Sequence, residues 1–339
     1  MSLHNFRYDP AQSRKNRSFA PLRMTALWCA CLLAMAIGSW QLDAQQATAA
    51  DKPDVLQSVH ALLAASHFAQ AEKILRSYLE KNPSSADAHF LLGYTFFREQ
   101  RAKDSLAEFT EGAKYQRPQQ SDLKIVAADY VVLGDFPDAD KWLTMVTQET
   151  PNDAEAWYLL GRTKYNENRF AEAIQCFERT LSLRANDIKA ENNLGLSYQG
   201  LNRIDEAEKA FETAIAWQKD SPVKEAQPYL NMGSLLADQD EPDQALAYSQ
   251  KAVSLAPRNP KAHEELGRVY DLLKMPDKAE HELEKAVALA PDVSGLHFKL
   301  GQVYRREGKQ QLAQQQFDIC AKLNSTHSSA ETPNPAEQN

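Results

Sequence analysis

Few residues in this sequence are spaced in a way that could carry out chemistry. His263 and His281 each precede a glutamate, but neither has the second histidine that a zinc-protease helix requires. Residues 195–199, GLSYQ, have only part of a nucleophile-elbow pattern, because its second glycine and the strand before it are absent. The carboxylates are scattered. We therefore expect no catalytic residues, no metal site, no cofactor and no enzymatic activity.

The charge is distributed unevenly along the chain. The formal net charge is −8, yet residues 1–44 carry five basic side chains against two acidic ones: Arg7, Arg14, Lys15, Arg17 and Arg23 against Asp9 and Asp43. The acidic remainder lacks the clustered lysine and arginine that bind a phosphate backbone, and anionic lipid headgroups would repel it. We expect no nucleic-acid partner, and membrane contact only through the N-terminal segment if that segment is uncleaved.

An uncharged apolar run follows the basic stretch at residues 1–23 and extends from residue 24 to residue 40. Its length is near the lower limit for spanning a bilayer and exceeds that of an ordinary signal-peptide core. Candidate cleavage sites follow at Ala44 and Ala49. Residues 24–49 are therefore predicted to be a signal peptide or, alternatively, an uncleaved anchor whose basic side is cytoplasmic. Both place the body outside the cytoplasm, in the periplasm or secreted, whereas insertion in the opposite direction would leave it cytoplasmic.

The rest of the chain repeats with a period of 34 residues. The units span residues 52–85, 86–119, 120–153, 154–187, 188–221, 226–259, 260–293 and 294–327, and residues 222–225 interrupt the frame. Glycine occupies position 8 in six units, and alanine occupies position 20 in seven, with Ser105 in the other. This coincidence of small residues indicates a repeat architecture.

The spacing within each unit predicts two closely packed helices. Positions 4, 7, 8 and 11 share one stripe of a first helix, and positions 20, 24 and 27 share one stripe of a second. Three histidines at position 4 are expected to pack in the core: His89, His263 and His297. Proline at position 32 ends the second helix in four units, at Pro83, Pro151, Pro257 and Pro291. Each unit is thus a predicted helical hairpin, and stacking over residues 50–327 would bury the apolar faces.

These positions make the chain resemble the tetratricopeptide repeat (TPR) family. In the eighth unit the matching residues are Leu300, Gly301, Tyr304, Ala313 and Phe317. The departures are Val59 and Ala127 at the glycine position and Ser249 at position 24. The resemblance implies an all-α fold, a right-handed superhelical solenoid of about eight TPR helical hairpins that binds protein or peptide partners in a concave groove.

The same resemblance implies that the groove is lined by first-helix positions 2, 5, 6, 9, 12 and 13. In the second to fourth units this face is unusually apolar, with Phe90, Tyr94, Phe97, Ile125, Val131, Val132, Tyr158 and Tyr165. Polar candidates for holding an extended backbone are Arg162, Asn192, Asn193 and Asn231. Aromatic residues on a face that packing does not need often mark a binding surface. Packing between successive first helices is the alternative explanation for several of these residues.

Two further predictions concern the cysteines and the C-terminal segment. Cys176 and Cys320 lie four units apart and are predicted not to form a disulfide, because each unit contacts only its neighbours. Position 27 predicts that Cys320 is buried, and position 23 that Cys176 is partly exposed. Residues 328–339 are polar and contain proline, and they are predicted to be a disordered tail.

Together these observations predict a non-catalytic scaffold or adaptor of the cell envelope that binds a protein or peptide in the groove. The alternative is a non-catalytic TPR subunit of an enzyme, secretion, pilus or polysaccharide complex. The envelope assignment follows from the N-terminal segment and from analogy with the family.

Overall fold

The computed structural model describes residues 55–331, with side chains through residue 325. Within that range the chain forms helices only, and the predicted all-α fold of helical hairpins is confirmed. The helices are α1 (Val55–Ala64), α2 (Phe68–Lys81), α3 (Ala86–Arg98), α4 (Ala102–Gly112), α5 (Gln120–Val132), α6 (Phe136–Glu149), α7 (Ala154–Asn166), α8 (Phe170–Leu183), α9 (Ile188–Gly200), α10 (Ile204–Trp217), α11 (Gln227–Asp238), α12 (Pro242–Leu255), α13 (Pro260–Leu272), α14 (Pro276–Leu289), α15 (Ser294–Arg306) and α16 (Gln310–Glu331). The predicted signal or anchor lies outside the described residues. Between residues 55 and 331, no helix is both long and apolar enough to cross a membrane.

A left-handed residue separates the two helices of each hairpin. The residue at position 15 has a positive φ in all eight units, from Ser66 to Gly308. Glycine, asparagine or aspartate fills five of these positions, and these residues tolerate that conformation best. Ser66, Gln100 and Lys274 fill the others, where contacts within the hairpin must hold the strained backbone.

Close approach within a hairpin explains the glycine at position 8. A Cβ atom built on Gly161 would lie 2.7 Å from the ring of Phe177, the residue at position 24 of the same unit. Gly195 lies against Phe211 in the same way, with a corresponding distance of 2.6 Å. The glycine therefore makes room for an aromatic ring that is itself fully buried. In the sixth unit, Ser249 replaces the ring and lies against Gly233.

The chain divides into two compact units, the first ending at Leu133 and the second beginning at Gly134. Unit 1 contains α1 to α5, and a core cluster in it includes Val59, Leu75 and Phe96. Unit 2 contains α6 to α16, and its buried side chains form successive clusters along the stack of hairpins. The boundary falls between the two helices of the third 34-residue repeat.

A buried glutamine accommodates the four-residue insertion between the fifth and sixth repeats. Gln218 is fully buried at the end of α10. Its side-chain oxygen accepts a hydrogen bond from the Glu225 amide at 2.6 Å, and its Nε2 donates to the Glu225 carbonyl at 3.3 Å. This pair of bonds closes the loop, so that α11 resumes the frame at Gln227.

The structure reverses the predicted exposure of the two cysteines. Cys176 is buried and Cys320 is half-buried, and both thiols are free. Position 27 is buried where a following repeat packs against it, but Cys320 lies in α16, the last described helix. Burial raises the pKa of the Cys176 thiol to about 12, so this group is unreactive at neutral pH.

The last helix is longer than predicted. It continues to Glu331 and so includes the first four residues of the segment predicted to be disordered from residue 328. No glycine or proline occurs between Gln310 and Glu331 to end it, and Pro333 follows. Residues 332–339 lie outside the described range.

Candidate functional site

Unit 1 contains a cavity of about 770 Å³ beside the first helices α1, α3 and α5. Its apolar lining comes from groove positions 5, 6, 9 and 12, namely Leu56, Leu63, Phe90, Leu91, Tyr94 and Ile125. Its charged or titratable lining residues include His60, Asp87, Arg98 and Asp122. The volume lies in the ordinary range of ligand sites in proteins. Three of the aromatic or aliphatic residues predicted for the groove thus border one cavity.

The predicted aromatic residues of α3 occupy different environments. Phe90 is buried, with 8% of its surface exposed, and its ring stacks on Phe109 at 6.0 Å between centroids. Tyr94 is half-buried, and its hydroxyl accepts a hydrogen bond from the Arg98 guanidinium at 2.8 Å. Phe97 is also half-buried, but it does not line the cavity. Of these three rings, only Tyr94 combines a place in the cavity with partial exposure, and it also packs against the core cluster of unit 1.

The aliphatic candidates on α5 also differ from one another. Ile125 lines the cavity and is half-buried. Val131 is half-buried near the end of α5, and Val132 is 67% exposed. Neither valine borders the cavity.

Two carboxylates lie at the cavity wall. Asp87 is exposed in the first turn of α3, and Asp122 is half-buried in the first turn of α5. Burial raises the pKa of Asp122, the nearby charge of Asp87 raises it further, and a hydrogen bond from the Gln119 amide opposes both effects. The cavity wall is therefore negatively charged at this point.

In unit 2 the predicted tyrosines of α7 pack partly inside their own hairpin. The Tyr158 ring lies 6.0 Å from the Phe177 ring, and burial raises the pKa of Tyr158. Tyr165 meets Phe170 edge to face at 5.4 Å. Arg162 is exposed, and its guanidinium lies 6.0 Å from the Tyr158 ring. Of this group, Arg162 is the residue most open to a partner.

The asparagines bond across successive first helices. Asn231 Nδ2 donates to Asn192 Oδ1 at 2.8 Å, and both side chains are buried. Gln227 Nε2 donates to Asn231 Oδ1 at 2.8 Å. Asn193 donates to the Lys189 carbonyl at 2.7 Å and to the Tyr158 hydroxyl at 3.3 Å. Asn231 thus bonds to Asn192 rather than to Asn193, and its side-chain oxygen already accepts a bond. Whether these amides bind a partner remains a prediction.

A charged surface on α13 and α15 is absent from the sequence-based candidates. Arg268 donates to Asp238 at 2.7 Å, to Glu265 and to the Ser234 carbonyl. Lys299 pairs with Glu264, and Arg306 pairs with Asp271. A cavity of about 200 Å³ lies among these side chains. The sequence signal is the recurrence of opposite charges about 34 residues apart, which brings them onto neighbouring repeats.

Comparison with known proteins identifies the family. Sequence profiles of the tetratricopeptide repeat match residues 56–121, 154–187, 186–258 and 236–309. This chain is a tetratricopeptide repeat protein. Because proteins of this family bind protein or peptide partners, the chain is a protein-interaction scaffold.

Relatives of this TPR protein match only part of it, or only its fold. Protein O-mannosyl-transferase TMTC1 of Mus musculus is 26% identical over 158 residues, which are 45% of this chain and 16% of TMTC1. The chain thus spans about a sixth of the length of that curated relative. A tetratricopeptide repeat protein from Parabacteroides merdae ATCC 43184 superposes with a TM-score of 0.63 at 17% identity, covering 74% of this chain and 97% of the other. A chain of the Cut9–Hcn1 complex gives a TM-score of 0.58 at 17% identity, covering 79% and 52%. At 17% identity, each of these two structures shows only that it shares the fold of this chain.

Proposed function

We propose that this TPR protein is a non-catalytic scaffold of the cell envelope, and that it holds a peptide segment of its partner in the unit 1 cavity. The observation that carries the proposal is the lining of that cavity. Leu63 and Phe90 are buried in the core of unit 1, whereas Leu56, Leu91, Tyr94 and Ile125 stay partly exposed around an open volume large enough for side chains of a partner. Apolar side chains around such a cavity are typical of recognition sites.

The envelope location is supported by the sequence alone. A basic stretch, an apolar run at residues 24–40 and small-residue cleavage sites are typical of exported or anchored proteins. We expect protease added to intact cells to leave the protein untouched until the outer envelope is permeabilised. Protection that persists after permeabilisation would instead indicate a cytoplasmic body.

The second candidate is a non-catalytic subunit of an enzyme, secretion, pilus or polysaccharide complex. It is suggested by the occurrence of related repeats within much longer chains, including one named as a transferase. Purification from envelope fractions distinguishes the two candidates. A subunit should co-purify in fixed stoichiometry with an enzyme or export machine, whereas an adaptor should exchange partners.

A single substitution tests the cavity. Tyr94→Ser removes the partly exposed ring, and we expect loss of partner capture from envelope fractions with a loss of stability below about 1.5 kcal/mol. Tyr115→Ser is the matched control, because Tyr115 is half-exposed in unit 1 and lies outside the cavity. If Tyr94→Ser lowers stability by several kcal/mol, the ring belongs to the core and the proposal fails.

Corresponding variants test the predicted residues of unit 2. Tyr158→Ser and Asn193→Ala should weaken capture only if the partner extends along α7 and α9. Asn231→Ala is less informative, because it also removes the buried hydrogen bond to Asn192.

A further inference from the structure

The unit 1 cavity combines an apolar lining with two neighbouring carboxylates, those of Asp87 and Asp122. Asp87 and Asp122 lie close enough for the charge of one to raise the pKa of the other. Asp122 accepts a hydrogen bond from the Gln119 amide at 2.8 Å, and the charge that shifts its pKa is the negative charge of Asp87. Both lie in the first turn of a helix, where the helix dipole favours the ionised form.

The one arginine that lines the cavity is engaged elsewhere. The Arg98 guanidinium lies 4.8 Å from the centre of the Phe68 ring and 5.7 Å from that of Tyr94, and it donates to the Tyr94 hydroxyl. These contacts hold its charge over aromatic faces rather than beside the two aspartates. The cavity is therefore lined by two carboxylates, Asp87 and Asp122, and by the aromatic rings of Phe90 and Tyr94.

On the first-helix surface of α13 and α15, by contrast, the basic side chains are already paired with carboxylates. Arg268, Lys299 and Arg306 each pair with a carboxylate on the same or the neighbouring repeat. An acidic partner at that surface would have to displace existing ion pairs, whereas a basic partner at the unit 1 cavity would meet two neighbouring carboxylates. The charges therefore favour a basic partner at the cavity of unit 1.

We propose that the partner segment held in the unit 1 cavity carries a lysine or arginine next to a large apolar side chain. This inference rests on the proposed function and specifies its ligand. The apolar side chain contacts Leu91, Tyr94 and Ile125, and the cation lies beside Asp87 and Asp122. Each charge pair would be partly exposed, so the contribution to affinity is modest and depends on salt.

Fluorescence anisotropy with labelled short peptides tests the inference on the full-length protein. The first probe carries one lysine between a leucine and a phenylalanine. The second has glutamate in place of the lysine, and the third has serine in place of both apolar residues. We expect the lysine probe to bind roughly ten-fold more tightly than the glutamate probe at low salt, with a smaller ratio at high salt.

Matched variants assign the effect to the two aspartates. Asp87→Asn combined with Asp122→Asn should abolish the preference for lysine, and an asparagine at position 122 can still accept the hydrogen bond from the Gln119 amide. Glu80→Gln, an exposed carboxylate on α2 outside the cavity, should leave the preference intact. A preference that survives the double substitution would overturn the inference.

The remaining outcomes separate this inference from the proposed function. If Tyr94→Ser weakens the lysine and glutamate probes equally and wild type does not distinguish them, the cavity binds peptides but the inference is wrong. If Tyr94→Ser affects no probe, the proposed function itself is wrong. Failure of the lysine probe to bind at all would also overturn the inference. That result is expected if the cavity is occupied by a second copy of the chain or by the chain's own basic segment at residues 14–23.

Discussion

Asp129 is a buried carboxyl group on α5 with only 1% of its surface exposed. The equivalent position 10 holds Thr95 on α3 and Thr163 on α7, whose hydroxyls donate to the carbonyl four residues earlier, at 2.7 and 3.0 Å. An ionised carboxylate cannot make that bond. The nearby Ser105 hydroxyl and Asp129 Oδ2 are both buried without a completed hydrogen bond. Burial raises the pKa of Asp129 to about 6, and the proximity of Ser105 opposes this only weakly.

We predict that Asp129→Thr stabilises unit 1 at neutral pH. The folded pKa of about 6 lies above the unfolded value near 3.9, so the folded state binds more protons and wild-type stability falls as pH rises from about 4 to 6. Relative to the threonine variant, wild type should lose about 2–3 kcal/mol of unfolding free energy across that window. Urea unfolding at pH 4.5 and 7 measures this. Glu80→Gln is the exposed control, and an unchanged pH dependence in Asp129→Thr would contradict the prediction.

Phe90 and Tyr94 were predicted together for the groove, but they differ in their neighbours. A Cβ atom on Gly112 would lie 2.6 Å from the Phe90 ring, so this ring fills a notch against α4. Phe90→Ala should therefore destabilise unit 1 by about 3 kcal/mol, whereas Tyr94→Ser should cost less than half of that. Thermal melts of the two variants provide the comparison. Lost partner capture by Phe90→Ala with an unchanged melt would instead make Phe90 a contact residue.

At the scale of elements, each proline at position 32 bonds to the first helix of the next repeat. The carbonyls of Pro83, Pro151, Pro257 and Pro291 accept hydrogen bonds from ring nitrogens six residues later, at His89, Trp157, His263 and His297. The donor–acceptor distances lie between 2.9 and 3.1 Å. The proline that ends one hairpin therefore also fixes the start of the next.

In His89 and His263 the opposite ring nitrogen, Nδ1, faces a glutamate: Glu108 and Glu282, respectively. His263 Nδ1 lies 2.6 Å from Glu282 Oε2, and its Nε2 donates to the Pro257 carbonyl at 3.0 Å. Burial raises the pKa of Glu282, but hydrogen bonds from His263 and Lys285 outweigh burial and hold it below the ordinary value. At His297 the acceptor is the neutral side chain of Gln316.

His263 and His297 form a matched pair for a test, because one faces a glutamate and the other a glutamine. His263→Phe should cost about 2–3 kcal/mol, because it leaves the nearly buried Glu282 carboxylate without its main partner. His297→Phe should cost about 1 kcal/mol less, because Gln316 is uncharged and half-buried. The excess cost at His263 should disappear in the background of Glu282→Gln, as measured by urea unfolding. Equal costs in all backgrounds would show that the charge contributes nothing.

At the scale of the whole molecule, the N-terminal segment is predicted to be dispensable for folding. The repeat frame begins at residue 52, and α1 covers the core of unit 1 with Val59 and Leu63. Residues 50–339 expressed alone should give a mostly helical circular dichroism spectrum. A chain starting at residue 68 lacks α1 and should melt at a lower temperature, since Ala71 and Leu75 would lose their cover. An unfolded or insoluble protein from residues 50–339 would contradict the predicted boundary.

The sequence by itself determined the repeat and its register. A period of 34 residues with small side chains at positions 8 and 20 predicts closely packed helical hairpins, because only small residues allow such an approach. Helical periodicity also identified the core stripe, including His89, His263 and His297. These features depend on contacts within one hairpin, which local spacing specifies.

The tertiary structure alone decided which residues meet across repeats. Even within one hairpin, periodicity gave Phe90 and Tyr94 the same face, and only the position of Gly112 on α4 shows that the Phe90 ring is buried. Periodicity did not predict that Asn192 lies against Asn231, or Ser105 against Asp129, because these distances depend on how neighbouring hairpins pack together. The structure also reversed the predicted exposure of Cys176 and Cys320. For Cys320 the reason is that α16 is the last described helix, so no following repeat covers position 27. Contacts between hairpins depend on the relative placement of whole helices, and spacing within one chain segment does not fix that placement.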